Sequence, residues 1–275
     1  MSHPHFGANS APSAQTAATP LGTTHPNEVQ TAWTVRRPRP EPRPTLTTRR
    51  YEMMWAASNG DIMDQCLSAP ALPVFEDAFS AFARGALIPA EHGPVAIEDL
   101  LPGDRVETVN GDLLPIKWIG SMQLDAQGTR SPNETPECLY RLMADSFGYG
   151  RPAPDLLLGR GARYLHRAHA LKSYLGTAEA LAPVSSLVDG QSVIEVTPMS
   201  SVKTYHICLP QHRLIRVNGV DLETYHPGTA ASGQLIGTMR AKFMTLFPHL
   251  HELGDFGAMV HPRLSAGDLV MLEAA

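Results

Sequence analysis

Cysteine is scarce in this chain of 275 residues. There are three, Cys66, Cys138 and Cys208, far apart and odd in number. That excludes a disulfide framework and a zinc site built from paired cysteines, and leaves each thiol as a small packing group. Basic charge is scarce too. Twenty-two Lys and Arg face 27 Asp and Glu, for a formal net charge of −5. No cationic field exists to hold phosphates, so nucleic acid is not an expected partner. No apolar run approaches the roughly 18 residues of a membrane span, so a membrane is not expected either. The opening MSHPHFGANSAPSAQ lacks a basic stretch followed by an apolar one, so no secretory signal of the usual kind is expected. The cytoplasm is the default compartment, with export by a signal-less route left open.

What is present suffices for one sizeable domain, or one domain and an appendage: 43% of residues are hydrophobic. Residues 1–47 read as a disordered tail, rich in Ala, Thr, Ser and Pro and ending in VRRPRPEPRPT. Residues 48–80 read as a hairpin and lead-in. Tyr51, Met53 and Trp55 share one strand face there, and Asn59-Gly60 supplies the turn of a tight hairpin. Residues 81–228 carry short strands and turn signals at regular spacing: Pro102-Gly103-Asp104, Asn110-Gly111 and Asn218-Gly219. Val106 and Thr108 alternate on one arm of a hairpin, Ile116 and Trp118 on the other. A long polar loop is expected over 123–137. Residues 229–275 change character: Leu235, Ile236, Met239, Phe243, Leu246 and Phe247 recur at helical spacing, and Pro248 fits just past the end of that helix. The expected fold is mainly β, a compact set of short strands and hairpins with a C-terminal helical extension.

Three blocks carry a resemblance. The first runs A-F-A-R-G-A-L-I from Ala81 and, after a spacer, through Glu98-Asp99-Leu100-Leu101-Pro102-Gly103-Asp104-Arg105-Val106, with Pro115-Ile116-Lys117-Trp118-Ile119-Gly120 beyond it. The second is Asp155-Leu156-Leu157-Leu158, and the third spans Tyr205 to Thr224. In order and spacing they resemble Hint domains, the self-processing fold of Hedgehog proteins and inteins, and in particular a bacterial branch. The resemblance implies a domain that attacks the peptide bond preceding it. A first-residue Cys or Ser would move the acyl group from nitrogen to sulfur or oxygen. A His of the second block would protonate the leaving amide, and a final His-Asn pair would release the domain.

Placed on that scheme, the chain is degenerate. Ala81 occupies the nucleophile position and Ala162 the general-acid position, and a methyl group does neither job. The closing His-Asn pair falls on Glu223-Thr224. His212 remains in the closing-block His position, and Ser80, one residue before Ala81, is a candidate substitute nucleophile; these two are the candidate catalytic residues. His166 and His169 lie just past Ala162 and could serve Ser80. No histidine set has helical H-x-x-x-H or zinc-finger spacing, so no metal and no cofactor is expected. Three functions compete: a non-catalytic domain binding an unidentified protein or peptide in its former cleft, an autoprocessing domain cutting near residues 79–81, and a metal-dependent hydrolase built from histidines. Oligomeric state is left open.

Overall fold

A computed structural model describes residues 47–126 and 137–273. The tail expected over 1–47, apart from Thr47, and most of the polar loop expected over 123–137 lie outside the described residues.

The chain enters through β1 (Thr48–Ala56) and β2 (Ile62–Pro70), then a short helix, α1 (Pro73–Glu76). The brief strand β3 (Phe82–Ala83) follows. Next come β4 (Leu87–Ala90), β5 (Gly93–Ala96), β6 (Arg105–Glu107) and β7 (Leu113–Pro115), which pair in the order β5-β4-β6-β7. β8 (Trp118–Leu124), β9 (Leu139–Leu142) and β10 (Leu156–Leu158) precede β11 (Arg163–Arg167). Then come α2 (Leu171–Leu175), β12 (Glu179–Pro183), β13 (Val193–Val196), β14 (Val202–Cys208), β15 (Leu214–Val217) and β16 (Val220–Glu223). Three short helices close the described chain: α3 (Thr229–Gln234), α4 (Gly237–Met244) and α5 (Ala266–Glu273). One sheet runs β13-β9-β10-β3-β14-β8-β1-β2 and another β12-β11-β16-β15. The fold is mainly β, and its named strand pairs are antiparallel.

Strand periodicity divides the core in two. On β14, Tyr205 and Ile207 face one apolar cluster, while Cys208, of opposite parity, faces a second. On β8, Ile119 joins the first cluster, and Trp118, Met122 and Leu124 join the second. The second cluster is aromatic and is built largely from outside the central blocks. Tyr51, Phe75 and Phe79 come from the lead-in, and Phe243, Phe247 and Phe256 from the C-terminal extension. Trp118 sits between the two groups, its ring centroid 5.4 Å from Phe79 and 4.7 Å from Phe247. Its indole N–H donates to the Leu246 carbonyl at 2.9 Å, so a fully buried polar group is satisfied. β1 also pairs with β8, from Tyr51 opposite Met122 to Trp55 opposite Trp118.

Three local expectations need correction or refinement. The β1–β2 connection is not a tight turn: Ala56 pairs with Ile62, leaving a five-residue loop in which Gly60 alone takes a positive φ, 90°. Asn218-Gly219 is the tight turn, with φ 47° and 88° between the paired Val217 and Val220, as a type I′ hairpin demands. The C-terminal helix is broken in two. Leu235 and Ile236 leave helical geometry (ψ 78° and 150°), and Gly237 has φ 53°. Glycines at 233 and 237 weaken helical continuity, and the break buries Leu235 to 2% exposure while leaving Ile236 69% exposed.

Candidate functional site

Ser80 and Ala81 lie immediately before β3, and both are wholly buried. The Ala81 N–H donates to the Tyr205 carbonyl on β14 at 3.0 Å, and the Ala81 carbonyl accepts from Gly159 N–H at 2.9 Å. The Ser80 carbonyl accepts from Gly161 N–H at 3.0 Å. The Ser80–Ala81 peptide is therefore clamped between a strand and the turn that joins β10 to β11. That turn reads Gly-Arg-Gly for a steric reason. A Cβ on residue 159 would lie 2.2 Å from the Ser80 carbonyl oxygen, and one on residue 161 would lie 2.5 Å from the Asp77 carbonyl oxygen. Only glycine permits backbones this close. Ala162, the next residue, is 1% exposed and belongs to the same apolar cluster as Ala81.

The Ser80 hydroxyl has no hydrogen-bond partner among the described residues, although it is buried. His166 meets the Tyr164 hydroxyl instead, at 3.3 Å, and His169 is exposed. Ser80 thus has no base in contact. Of the thiols, Cys66 is exposed, Cys138 half-buried and Cys208 buried, and burial pushes the Cys208 thiol upward.

His212 lies just ahead of β15 and is brought against the far end of β16. Its Nδ1 accepts from the Val260 N–H at 3.1 Å. Its Nε2 faces a Glu223 oxygen at 3.4 Å. Ser80 and His212 are not partners of one another.

A model of the Hint domain family matches residues 80–229, just over half the chain. The chain belongs to the Hint family. A bacterial intein-like domain from Clostridium thermocellum is 13% identical, with a TM-score of 0.37 over 54% of this chain and 99% of that one. A splice-inactive class 3 split intein is 8% identical, with a TM-score of 0.34 over 53% and 97% of the respective chains. No curated protein matches the chain.

A buried charged cluster centres on Glu223, 1% exposed at the end of β16. Arg263 Nη2 lies 3.0 and 3.1 Å from its two oxygens, and Arg163 Nη1 lies 3.4 Å away. Burial alone would raise the Glu223 carboxyl, but Arg263, His212 and Arg163 outweigh it and bring it to about 2. Two neighbouring histidines are kept neutral. Burial lowers His206 to about 3, and its Nδ1 accepts from the Ile207 N–H at 3.1 Å. Burial also lowers His226, whose Nδ1 accepts from Gly228 N–H at 2.9 Å while its Nε2–H donates to the Gly257 carbonyl at 3.0 Å.

These residues line a cleft of about 430 Å³, floored by Gly161, Arg163, His206, Glu223 and Tyr225. The C-terminal extension crosses it as a strap. Leu181 N–H donates to the Pro262 carbonyl and Leu264 N–H to the Leu181 carbonyl, both at 2.8 Å, which fixes Arg263 over Glu223. Asp77 also faces the cleft; burial raises its carboxyl, against the lowering effect of Arg163, Arg160 and Arg263. The role of Glu223 and Arg263 was not visible in the sequence. Arg263 sits in a segment without a motif, and Glu223 stood out only as a departure from His-Asn. Among the described residues no group of three His, Cys, Asp or Glu side chains is placed to hold a metal ion. No helix among them is long and apolar enough to cross a membrane.

Proposed function

We propose that this Hint domain is a non-catalytic member of its family that acts as a binding or scaffold module, its former catalytic cleft receiving a protein or peptide. The observation that carries this reading is the pair Ala81 and Ala162. Both are buried, at 0% and 1% exposure, in one apolar cluster. On the Hint scheme these are the nucleophile and general-acid positions, and neither methyl can attack a carbonyl or protonate an amide. The lead-in supports it as well: the segment a self-cleaving domain would release is packed here through Tyr51, Phe75 and Phe79 onto Trp118 and the C-terminal aromatics. The cleft's arginines are already committed to Glu223, so they order the site more than they attract a charged partner.

The competing reading is an autoprocessing domain cutting near residues 79–81, with the Ser80 hydroxyl attacking the preceding Phe79 carbonyl; that hydroxyl is committed to no other hydrogen bond among the described residues. The intact mass of the purified protein, followed through prolonged incubation with and without dithiothreitol, separates the two. A single species at the full 29.8 kDa is expected. A fragment pair meeting between Phe79 and Ala81, lost on Ser80→Ala or His212→Ala, would overturn the non-catalytic reading.

A further inference from the structure

The eight-stranded sheet ends on two unlike edges. At one end β13 is four residues long. At the other, β2 runs for nine residues, and among the described residues it pairs with β1 alone. Its register against β1 is continuous from Thr48 opposite Pro70 to Ala56 opposite Ile62, so no bulge turns the edge away. No Lys or Arg stands on β2, and its one proline is the last residue. Residues 62–66 and 68 are exposed, Ile62 and Met63 at 47% and 44%. The backbone alternation is fixed beyond both ends of the strand. Ala57 N–H donates to the Asp61 carbonyl at 2.9 Å, and Ala71 N–H to the Thr47 carbonyl at 2.8 Å. Odd positions of β2 thus bond β1, while Ile62, Asp64, Cys66 and Ser68 turn their N–H and C=O groups outward. A long, regular edge without guarding charges is a template for another strand.

We infer that the occupant of this edge is a second copy of the chain, joined by antiparallel pairing of β2 with β2 about a two-fold axis through Cys66. Cys66 is the midpoint of Ile62–Pro70, so this register overlaps the whole strand. It sets outward groups opposite outward groups. Cys66 faces Cys66 and Asp64 faces the second copy's Ser68, each such pair exchanging two backbone hydrogen bonds. The neighbouring register, centred on Gln65, also aligns the outward groups, and charge decides between the two. On β1, Arg50 stands opposite Ser68 and Glu52 opposite Cys66. The Arg50 side chain is 72% exposed and meets Glu52 only at 3.8 Å, while Glu52 is held by Lys203 at 2.7 Å. Asp64 makes no ion pair among the described residues. With the axis on Cys66, the second copy's Asp64 lies in line with Arg50, just beyond Ser68. With the axis on Gln65 it lies in line with Glu52, and carboxylate faces carboxylate. The apolar ends also meet, Ile62 opposite the second copy's Pro70 and Met63 opposite its Ala69. No β2 residue lines the cleft, so failure of this pairing would leave the non-catalytic reading untouched.

The test is sedimentation equilibrium of the full chain under reducing conditions, from about 1 to about 200 μM. A monomer–dimer equilibrium is expected, with a Kd on the order of 10 μM, the weak end for an interface of one strand pair. Cys66→Lys sets two ammonium groups against each other at the axis and is expected to weaken association at least about tenfold. Asp64→Arg opposes Arg50 with a second cation and is expected to do the same, and adding Arg50→Asp to it is expected to restore association. All three side chains are exposed, and circular dichroism establishes that each variant folds. The register is read by diamide, whose N=N bond takes two protons and two electrons from two thiols as the disulfide forms. Cα atoms about 5.5 Å apart, as in such a strand pair, lie within disulfide reach. A covalent dimer is expected, absent in Cys66→Ser, which still associates without the bond. A chain monomeric at about 200 μM, as when residues before Thr47 cover this edge, would overturn the assignment. So would unchanged association in folded Cys66→Lys, or no disulfide in a chain that does associate.

Discussion

Arg263 holds both carboxylate oxygens of Glu223, at 3.0 and 3.1 Å, from a segment 40 residues further along the chain. The same Nη2 donates to the His226 carbonyl at 2.6 Å. The pair thus ties the C-terminal strap to the last strand of the central blocks, and a single amide substitution tests it. Glu223→Gln keeps the shape and removes the charge, leaving Arg263 and Arg163 facing a neutral group in a mostly buried site. Breaking a buried pair from one side costs about 3–5 kcal/mol. The arginine side chains retain 16% and 23% exposure, so the lower end, about 3 kcal/mol, is expected in urea denaturation. Arg160→Ala is the control. Its side chain is 47% exposed near Glu76 and Asp77, and less than about 1 kcal/mol is expected. Equal losses in the two variants would mean the Glu223 network contributes nothing special.

The Gly159–Arg160–Gly161 turn makes a sharper steric prediction. Gly159→Ala places a methyl 2.2 Å from the Ser80 carbonyl oxygen, and the nearest atoms are backbone, which cannot swing aside. The substitution is expected to cost more than about 3 kcal/mol, as overpacking with loss of backbone hydrogen bonds does. Gly233→Ala has open space around its Cβ and lies in α3, where removing glycine is expected to be neutral or stabilising by up to about 1 kcal/mol. Thermal melts of the two variants side by side check both signs.

Much of the fold was legible because it depends on local chemistry. Asn218-Gly219 could be read as a turn since both positions take positive φ, and the alternation of β8 and β14 follows from which neighbours each face meets. The helix over 235–247 could be read only in part. Apolar spacing continued across Leu235–Ile236, but the backbone follows the glycines and breaks there. The candidate site divides in the same way. Ala81 and Ala162 were placed by block spacing, and the structure brings both into one cluster. The Glu223 network was hidden because its partner, Arg263, comes from a segment whose pairing with Leu181 is set by tertiary contacts alone.

Acid should unfold this protein from near neutrality downward. His206 and His249 have folded values of about 3 and about 4, both depressed from the usual 6.5. A depressed group gives stability that is whole above its unfolded value and is lost as pH falls toward its folded value. Between pH 6.5 and about 4, the unfolded chain therefore binds protons that the folded chain refuses. Each such histidine contributes a slope approaching roughly 1.4 kcal/mol per pH unit. Glu223, lowered from 4.5 to about 2, adds its own loss below about pH 4.5. Stability from urea titrations is expected to be flat above pH 7 and to fall below 6.5, more steeply under 4.5. His249→Phe should remove about one proton's worth of slope between pH 6.5 and 4. A parallel pH profile in that variant would mean His249 titrates normally in the folded state.

The Ser80–Ala81 bond allows the non-catalytic reading to be tested by repair. Its carbonyl already accepts a hydrogen bond from Gly161 N–H at 3.0 Å, and its nitrogen is fixed by the Tyr205 carbonyl. For the first acyl shift of the Hint scheme two groups are then missing. Ala81→Cys supplies a thiolate that adds to the Ser80 carbonyl. Ala162→His supplies an acid that gives its proton to the residue-81 nitrogen as the C–N bond breaks and a thioester forms. An external thiol such as dithiothreitol then takes the acyl group and releases the segment ending at Ser80. The double variant is expected to yield two fragments meeting at that bond, growing with dithiothreitol concentration, while Ala81→Cys alone yields far less, because an unprotonated amide is a poor leaving group. Circular dichroism of the double variant establishes that it folds. A folded double variant that stays intact would mean that the site has lost more than two side chains, and that the packing around Ala81 and Ala162 has closed the path a tetrahedral intermediate requires.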